Sequence, residues 1–203
     1  MNRQAIVLRA AKPTFDEGLL CGRYLDIAAE GFFRFMLGPK AAHIIAKAYT
    51  QPNHSYSFQN VTFAEHNKRI VGMALGFTAE QHRGFSDRPL KEAAGHLALR
   101  MAAVKILFAP LFRILTTITE GDFYLLAIAI DDKLRSEGVG STLMDSVEEQ
   151  ARASGSTRLT LDVSAKNEGA RRFYERRGMT VESQWPKRLP IPVLKFYRMT
   201  KVL

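Results

Sequence analysis

The residues with the clearest chemical potential form a glycine-containing stretch in the second half of the chain. Residues 130–142 read IDDKLRSEGVGST and follow an almost continuously apolar run over 123–130. Gly138 and Gly140 allow the main chain to approach a ligand closely, and Arg135 adds a fixed positive charge. Residues 138–144 contain no carboxylate, although acids are favoured at a helix start. The stretch therefore predicts an anion-binding loop between a buried strand and a helix.

Two other kinds of phosphate-binding loop fit this stretch less well. A Walker loop needs Gly-Lys-Ser/Thr, whereas Ser141 follows Gly140 directly. A dinucleotide-binding loop needs a third small residue where Leu143 stands, and it places its glycines at the end of the strand. Asp162 nevertheless lies at the end of the next predicted strand, where such a loop has its ribose-binding acid. The dinucleotide-binding alternative therefore stays open at this point.

A second informative stretch covers residues 167–179 and reads NEGARRFYERRGM. Asn167 and Gly178 are typical residues for the two ends of a helix, so a short helix is predicted between them. Tyr174 shares one helical stripe with Ala170. It is therefore either a core aromatic residue or a phenol that takes part in chemistry.

Both stretches resemble signatures of the GNAT superfamily of N-acetyltransferases. The acetyl-coenzyme A loop of that family follows V-x-P-x-x-R-G-x-G-x-G/A, and the corresponding positions are Ile130, Arg135, Gly138 and Gly140. Two positions depart from the pattern, Asp132 for Pro and Ser136 for Gly. The second signature, N-x-x-A-x-x-F/L-Y-x-x-x-G-F, is similar to residues 167–179 and differs only at Met179.

The resemblance implies both a fold and a reaction. The fold is α/β (α+β), with a mixed sheet of about seven strands that splays at its central strand and is flanked by helices. The reaction is transfer of an acetyl group from acetyl-coenzyme A to a primary amine by direct attack. Backbone groups of the central strand would bind pantetheine and the oxyanion, the loop would bind pyrophosphate, and Asn167 would bind pantetheine. The implied coenzyme-binding residues are Ile128, Ala129, Ile130, Arg135, Ser136, Glu137, Gly138, Val139, Gly140, Ser141 and Asn167.

The resemblance also implies that Tyr174 is the general acid. A phenol with a pKa of about 10 can donate to a departing thiolate whose thiol has a pKa of about 8.5. The general base stays open among Glu120, Asp122, Asp162 and water. Deprotonating a lysine-like amine at pH 7 costs about 4–5 kcal/mol, whereas an α-amine costs about 1.4 kcal/mol. An α-amine could therefore react with water alone as proton acceptor.

The elements that must position these residues are a mixture of strands and helices, as in an α/β or α+β domain. A helix should begin at Thr14, with Glu17 completing a capping box, and continue to Gly38. The other predicted elements are strands over 5–10, 57–64, 69–77, 123–130, 158–163, 179–183 and 193–202, and helices over 40–49, 140–153 and 167–177. We expect one domain over 1–203 with a helical insertion at about 79–119, kinked or split at Pro110.

Composition excludes several classes of protein. A chain with 46% hydrophobic and 24% charged residues is typical of a packed globular protein. The single cysteine, Cys21, excludes an internal disulfide, and the five histidines show no metal-ligand spacing, so no metal site is expected. There is neither an apolar signal segment nor a run of about 18 uncharged apolar residues. We therefore expect a cytoplasmic protein without a membrane span.

The net charge of +9 leaves two alternative functions open, because it favours phosphate-bearing partners in general. A nucleic-acid-binding protein would use the basic cluster Lys166, Arg171, Arg172, Arg176 and Arg177. A catalytically inactive acyl-coenzyme A sensor would keep the loop without the chemistry. Residues 93–119 contain no acid. This segment is interpreted as a helix packed on the sheet, as a lid over the acceptor site, or as a homodimer face.

Overall fold

The computed structural model describes residues 6–109, 117–134, 137–186 and 195–203. Seven strands form one mixed sheet in the order β1-β2-β3-β4-β5-β7-β6. Every neighbouring pair is antiparallel except β4 and β5. The strands are β1 (Val7–Ala10), β2 (Val61–His66), β3 (Arg69–Thr78), β4 (Asp122–Ile130), β5 (Arg158–Ser164), β6 (Thr180–Trp185) and β7 (Phe196–Val202). The fold class and the number of strands expected from the sequence are confirmed.

Helices cover both faces of this sheet, which explains why β4 is apolar on both sides. In the described residues they are α1 (Phe15–Ala28), α2 (Phe32–Leu37), α3 (Ala41–Tyr49), α4 (Ala79–Arg83), α5 (Arg88–Ala94), α6 (Leu97–Leu107), α7 (Val139–Ala153) and α8 (Glu168–Arg176). On one face α1, α3 and α6 share a buried cluster with β3; on the other, α7 and α8 share one with β5. None of the helices in the described ranges has the length and apolarity to cross a bilayer.

The central strand β4 separates from β5 halfway along its length. Residues 122–125 pair in parallel with 158–161, whereas β4 continues to Ile130 along β3 alone. The pairing with β3 skips Leu126, which forms a bulge next to the last β4–β5 pair, Leu125 with Leu161. Beyond that pair the sheet opens into a wedge, which we call the β4–β5 gap, and the pair itself marks its vertex. The splayed central strand is thereby confirmed.

Close helix packing holds the layer that covers one side of the gap. A Cβ built on Gly18 or Gly22 of α1 would lie 2.7 or 2.8 Å from the Cα atom of Ala46 or Ala42 in α3. No real Cβ could occupy either place, so the two glycines let the helix backbones touch. This packing keeps α1 against β4, where the Tyr24 hydroxyl donates to Asp131 Oδ1 at 2.8 Å.

The first helix departs from the sequence prediction. It ends at Ala28 instead of reaching Gly38, because Glu30 and Gly31 adopt left-handed backbone angles with φ of 52° and 87°. The carboxylate of Asp26 accepts the Arg34 backbone N–H at 2.9 Å and so ties α2 back to α1. Apolar spacing cannot reveal this turn, because both helices present apolar residues to the same core.

The expected capping box at Thr14 is also wrong in one half. The Thr14 hydroxyl accepts the Glu17 N–H at 3.4 Å, as expected. The Glu17 carboxylate instead accepts bonds from Arg9 Nη2 at 2.9 Å and from the Lys12 N–H at 2.7 Å. The charged Arg9 on β1 gives this carboxylate a stronger hydrogen bond than the backbone N–H of Thr14 would give it in a capping box.

The remaining elements start or end close to their predicted positions. The first arm of the hairpin begins at Val61, because residues 58–60 form a 3₁₀ turn capped by Ser57. The segment before β4 contains α4, α5 and α6, and α6 buries Met101 and Val104 while Leu99 and Ile106 stay exposed. Three predicted features lie outside the described residues: the break at Pro110, the first residue of the strand 5–10 and the start of the strand 193–202.

Candidate active site

The predicted anion-binding loop leads directly into α7. Gly138 is its N-cap residue and has a φ of +87°, in the left-handed region that favours glycine. A Cβ built there meets no heavy atom within 4 Å in the described part of the chain. The same part of the chain supplies no side-chain cap, and the first turn of α7 contains no acid. The first N–H groups of a helix have no partner within it, so this end of α7 can bind an anion.

Gly140 brings the loop, the end of β4 and α8 together. A Cβ on Gly140 would lie 3.0 Å from Ile130 Cδ1 and 3.7 Å from Phe173 Cζ. Glycine therefore allows α7 to begin against the end of β4. Of the other loop residues in the sequence prediction, Glu137 and Ser141 are exposed and Val139 is buried in the core. Arg135 and Ser136 lie outside the described residues.

The strand register shows which backbone groups of β4 face the gap. The Asp131 N–H donates to the Val71 carbonyl at 2.9 Å, just beyond the Gly72–Ile130 pair. The Gly72–Ile130 pair is therefore of the non-hydrogen-bonded type. Because hydrogen-bonded and non-hydrogen-bonded pairs alternate in an antiparallel ladder, the backbone N–H and C=O groups of Ala129 point toward β3. The N–H and C=O groups of Ile128 and Ile130 point the other way, into the gap. Of the three β4 residues named from the sequence, two thus present their backbone to the gap and Ala129 does not.

Tyr174 lies on the inward side of α8 and is 8% exposed. It belongs to the same buried cluster as Leu125 and Leu161, the pair at the vertex of the gap. Burial raises the pKa of this phenol above its usual range, so the group keeps its proton at neutral pH. In the described residues no group forms a hydrogen bond with its hydroxyl. The structure thus places an uncharged phenol, with no hydrogen-bond partner among the described residues, in the buried cluster that α7 and α8 share with the sheet.

Asn167 adopts the capping role that its sequence position indicates. Its Oδ1 accepts the Ala170 N–H at 3.1 Å, at the start of α8. The residue is exposed, so its amide N–H₂ group is accessible from solvent. Its contact with pantetheine stays a prediction.

The three carboxylates considered as the general base are each held by an arginine. Asp122 accepts from Arg158 Nε at 2.8 Å and Nη2 at 3.0 Å, and its side chain is 2% exposed. Glu120 is exposed and pairs with Arg83 at 3.0 Å. The hydrogen bond with Asp122 raises the pKa of Arg158 above its usual value despite partial burial. These two carboxylates lie at the closed end of β4, away from the gap.

Asp162 does lie at the vertex, but both of its oxygens already accept hydrogen bonds. Arg198 donates from Nε at 3.0 Å and from Nη2 at 2.7 Å, one bond to each carboxylate oxygen. The Tyr124 hydroxyl donates to Oδ2 at 2.9 Å. Burial and the nearby carboxylate raise the pKa of Tyr124 well above its usual value. Sequence reasoning missed Tyr124 and Arg198, because the cross-strand register that places Arg198 opposite Asp162 is invisible in the sequence.

The basic cluster around α8 is largely neutralised by acids. Arg171 pairs with Glu175 at 3.3 Å and Arg172 pairs with Glu168 at 3.0 Å. Arg177 pairs with Asp145 and with Glu148, the latter at 3.2 Å. Three of the five cations that a nucleic-acid-binding protein would use are thus committed to ion pairs. This arrangement does not support the nucleic-acid alternative.

Comparison with known proteins agrees with this architecture. The model of the acetyltransferase (GNAT) family matches residues 26–179, and the chain therefore belongs to this family and is an acyltransferase. Among solved structures, an acetyltransferase is 23% identical over 97% of this chain and 98% of its own, with a TM-score of 0.68.

Other solved structures are similar at lower identity. An N-acetyltransferase from Staphylococcus aureus is 14% identical over 96% of this chain and 100% of its own, with a TM-score of 0.65. An agmatine N-acetyltransferase is 18% identical over 98% of this chain and 100% of its own, with a TM-score of 0.56. None of the curated proteins matches the sequence. At such identities these structures show a common fold.

Proposed function

We propose that this protein transfers an acetyl group from acetyl-coenzyme A to a primary amine by direct attack of the amine on the thioester. The observation that carries the proposal is the continuity of the β4–β5 gap with the start of α7, where the described residues supply no side-chain cap. The backbone groups of Ile128 and Ile130 that point away from β3 line one edge of the gap and have no partner strand in the described residues. The start of α7 lies against the open end of β4, because a Cβ on Gly140 would stand 3.0 Å from Ile130 Cδ1. An extended ligand with amides in its middle and phosphates at one end complements this arrangement.

The loop and the strand have separate tasks in this proposal. The first N–H groups of α7 and the backbone of residues 135–141 bind the pyrophosphate, and Arg135 adds positive charge. Ile128 and Ile130 bind the amides of the pantetheine arm, and Asn167 adds a polar contact at the start of α8. A backbone N–H of β4 also stabilises the negative charge that develops on the thioester oxygen.

Tyr174 protonates the leaving thiolate. The amine nitrogen forms a bond with the acetyl carbon, the carbon–sulfur bond breaks, and the phenol proton moves to sulfur. The phenolate then recovers a proton from solvent. Its place on the inward side of α8, in the same buried cluster as Leu125 and Leu161, supports this role.

Water accepts the proton that the amine loses. Asp122 and Asp162 are occupied by bidentate arginines, and Glu120 lies outside the gap in an exposed ion pair. Without a carboxylate base, a lysine-like amine must bear its deprotonation cost of about 4–5 kcal/mol at pH 7, against about 1.4 kcal/mol for an α-amine. Amines with a pKa near 8 are therefore the better acceptors in this proposal.

A free-thiol release assay with acetyl-coenzyme A and a panel of amines tests the function. Thiol release that depends on one class of amine supports it. Coenzyme binding without release for any amine would favour the inactive sensor, and absence of binding would contradict the whole proposal. Binding itself is read from the melting temperature, because a ligand that binds only the native state stabilises it by RT ln(1 + [L]/Kd).

A further inference from the structure

A buried polar cluster joins three strands at the vertex of the β4–β5 gap. Asp162 on β5 stands directly opposite Arg198 on β7 in the strand register, and Tyr124 approaches from β4. The side chains of Arg198 and Asp162 are only 11% and 4% exposed. Arg198 Nη1 also donates to the Thr117 carbonyl at 2.7 Å, which anchors the chain just before β4. The cluster thus connects β7, β5, β4 and the segment that leads into β4.

The position of this cluster coincides with the point where the two central strands part. The last β4–β5 pair is Leu125 with Leu161. Tyr124 immediately precedes the first member of this pair, and Asp162 immediately follows the second. We propose that Tyr124, Asp162 and Arg198 are positioning residues that fix the vertex of the gap, and with it the backbone groups that bind acetyl-coenzyme A. This inference rests on the proposed function.

The chemistry of the cluster suits positioning better than stabilisation. Replacing a buried ion pair by apolar residues of similar volume is often neutral or stabilising, so such a pair is weak evidence for a role in stability. A bidentate arginine–carboxylate pair has a fixed planar geometry, and the tyrosine hydroxyl adds a third direction. The three groups therefore define the relative placement of their strands at one point. On both strands the β4–β5 pairing ends within one residue of this point.

The chain contains its own control for this proposal. At the closed end of the same two strands, Arg158 holds Asp122 in the same bidentate way, and the Thr160 hydroxyl donates to Asp122 Oδ2 at 2.8 Å. The bidentate arginine–carboxylate geometry, the burial of the carboxylate and the added hydroxyl donor thus match those of the vertex cluster, although Arg158 is 30% exposed and also pairs with Glu182 at 2.9 Å. The control cluster differs in lying where β4 and β5 remain paired. If these clusters only stabilise the fold, variants of both should behave alike. If the vertex cluster fixes the geometry of the gap, only its variants should weaken coenzyme binding.

The experiment compares two pairs of variants in the full chain. Tyr124→Phe is matched with Thr160→Val, since each removes one hydroxyl donor, and Arg198→Lys is matched with Arg158→Lys. Calorimetry gives the Kd for acetyl-coenzyme A, and steady-state kinetics give KM and kcat. We expect the vertex variants to raise Kd and KM about five- to tenfold, which corresponds to one hydrogen bond. The control variants should keep Kd within about twofold.

Two results would overturn the inference. One is a Kd within about twofold of wild type for both vertex variants, and the other is an equal rise in Kd for the control variants. Hydrogen exchange of the free protein separates this inference from the proposed function, since it needs no coenzyme. The peptide covering residues 125–130 should exchange faster in Tyr124→Phe than in Thr160→Val. If the wild-type protein fails to bind acetyl-coenzyme A, the proposed function is wrong. The difference in hydrogen exchange then still tests whether the cluster fixes the vertex: faster exchange in Tyr124→Phe supports this inference, and equal exchange contradicts it.

Discussion

Replacing Tyr174 by phenylalanine removes one oxygen atom from the buried face of α8. The ring keeps its place in the cluster with Leu125 and Leu161. Its hydroxyl has no hydrogen-bond partner in the described residues, so its loss leaves no other group unsatisfied. We therefore expect the unfolding free energy of Tyr174→Phe to stay within about 0.5 kcal/mol of wild type, as for substitutions that break no named interaction. Affinity for acetyl-coenzyme A should also change little, because the lost interaction is made in the transition state.

The effect on kcat follows from the position of the proton. Burial raises the pKa of Tyr174, so full transfer to a thiolate with a conjugate pKa of about 8.5 is uphill by at least about 2 kcal/mol. The proton must therefore move while the carbon–sulfur bond breaks. General-acid catalysis contributes about 10²–10⁴-fold, or about 2.7–5.5 kcal/mol of barrier. Water can partly replace the phenol in the cavity, so we expect a loss of about 10²-fold.

Steady-state kinetics with the amine that proves active decides the question. Tyr197→Phe is the matched control. Tyr197 lies on β7, is partly buried against the same cluster and packs under Arg171 of α8. Its kcat should equal that of wild type. The reasoning is refuted if kcat of Tyr174→Phe lies within about twofold of wild type, which is about 0.4 kcal/mol of barrier. Tyr174 would then be a core aromatic residue.

Three further predictions address the loop, the helix packing and the response to pH. Gly138→Asp should abolish the rise in melting temperature that acetyl-coenzyme A causes, whereas Gly155→Asp, at another open left-handed position (φ +76°), should lose only stability. Gly22→Ala should lower the unfolding free energy in urea by about 1–3 kcal/mol, because its Cβ has no room against α3. Burial alone would raise the pKa of Glu148, but hydrogen bonds from Lys201 and an arginine hold it below its ordinary value. This stabilisation is complete above about pH 4.5 and is lost as pH falls through the lowered pKa, so Glu148→Gln should flatten the acid limb of a stability–pH curve.

The elements around the site were predictable wherever local pattern and global packing agree. In α7, Leu143, Val147 and Ala151 recur every four residues, and all three are buried. The two ends of α8 carry Asn167 and Gly178, which cap it as expected. The break between α1 and α2 could not be predicted in the same way. It depends on left-handed angles at Glu30 and on a hydrogen bond from Arg34 to Asp26, neither of which changes the apolar spacing.

The acid–base residues show where sequence reasoning stops. Asp162 was a candidate base because it ends a strand near the centre of the sheet, and the structure does place it at the vertex of the gap. The sequence could not show that Arg198, 36 residues away, occupies both of its oxygens. Nor could it show that Ala129 turns its backbone toward β3, because a bulge at Leu126 sets that alternation. Both features are fixed by register, which is a property of strand pairs.

The two ends of β4 differ in how their backbone groups facing β5 are paired. At the closed end, residues 122–125 of β4 pair with β5, and Arg158 holds the Asp122 carboxylate. At the open end, the backbone groups of Ile128 and Ile130 that point away from β3 have no partner strand in the described residues. In the proposed function, the amides of the ligand form hydrogen bonds with these groups. The Asp162–Arg198 pair lies one residue beyond the last β4–β5 pair, between these two regions. Under the proposals made above, Asp162 therefore serves the geometry of the gap, and the proton of the amine goes to water.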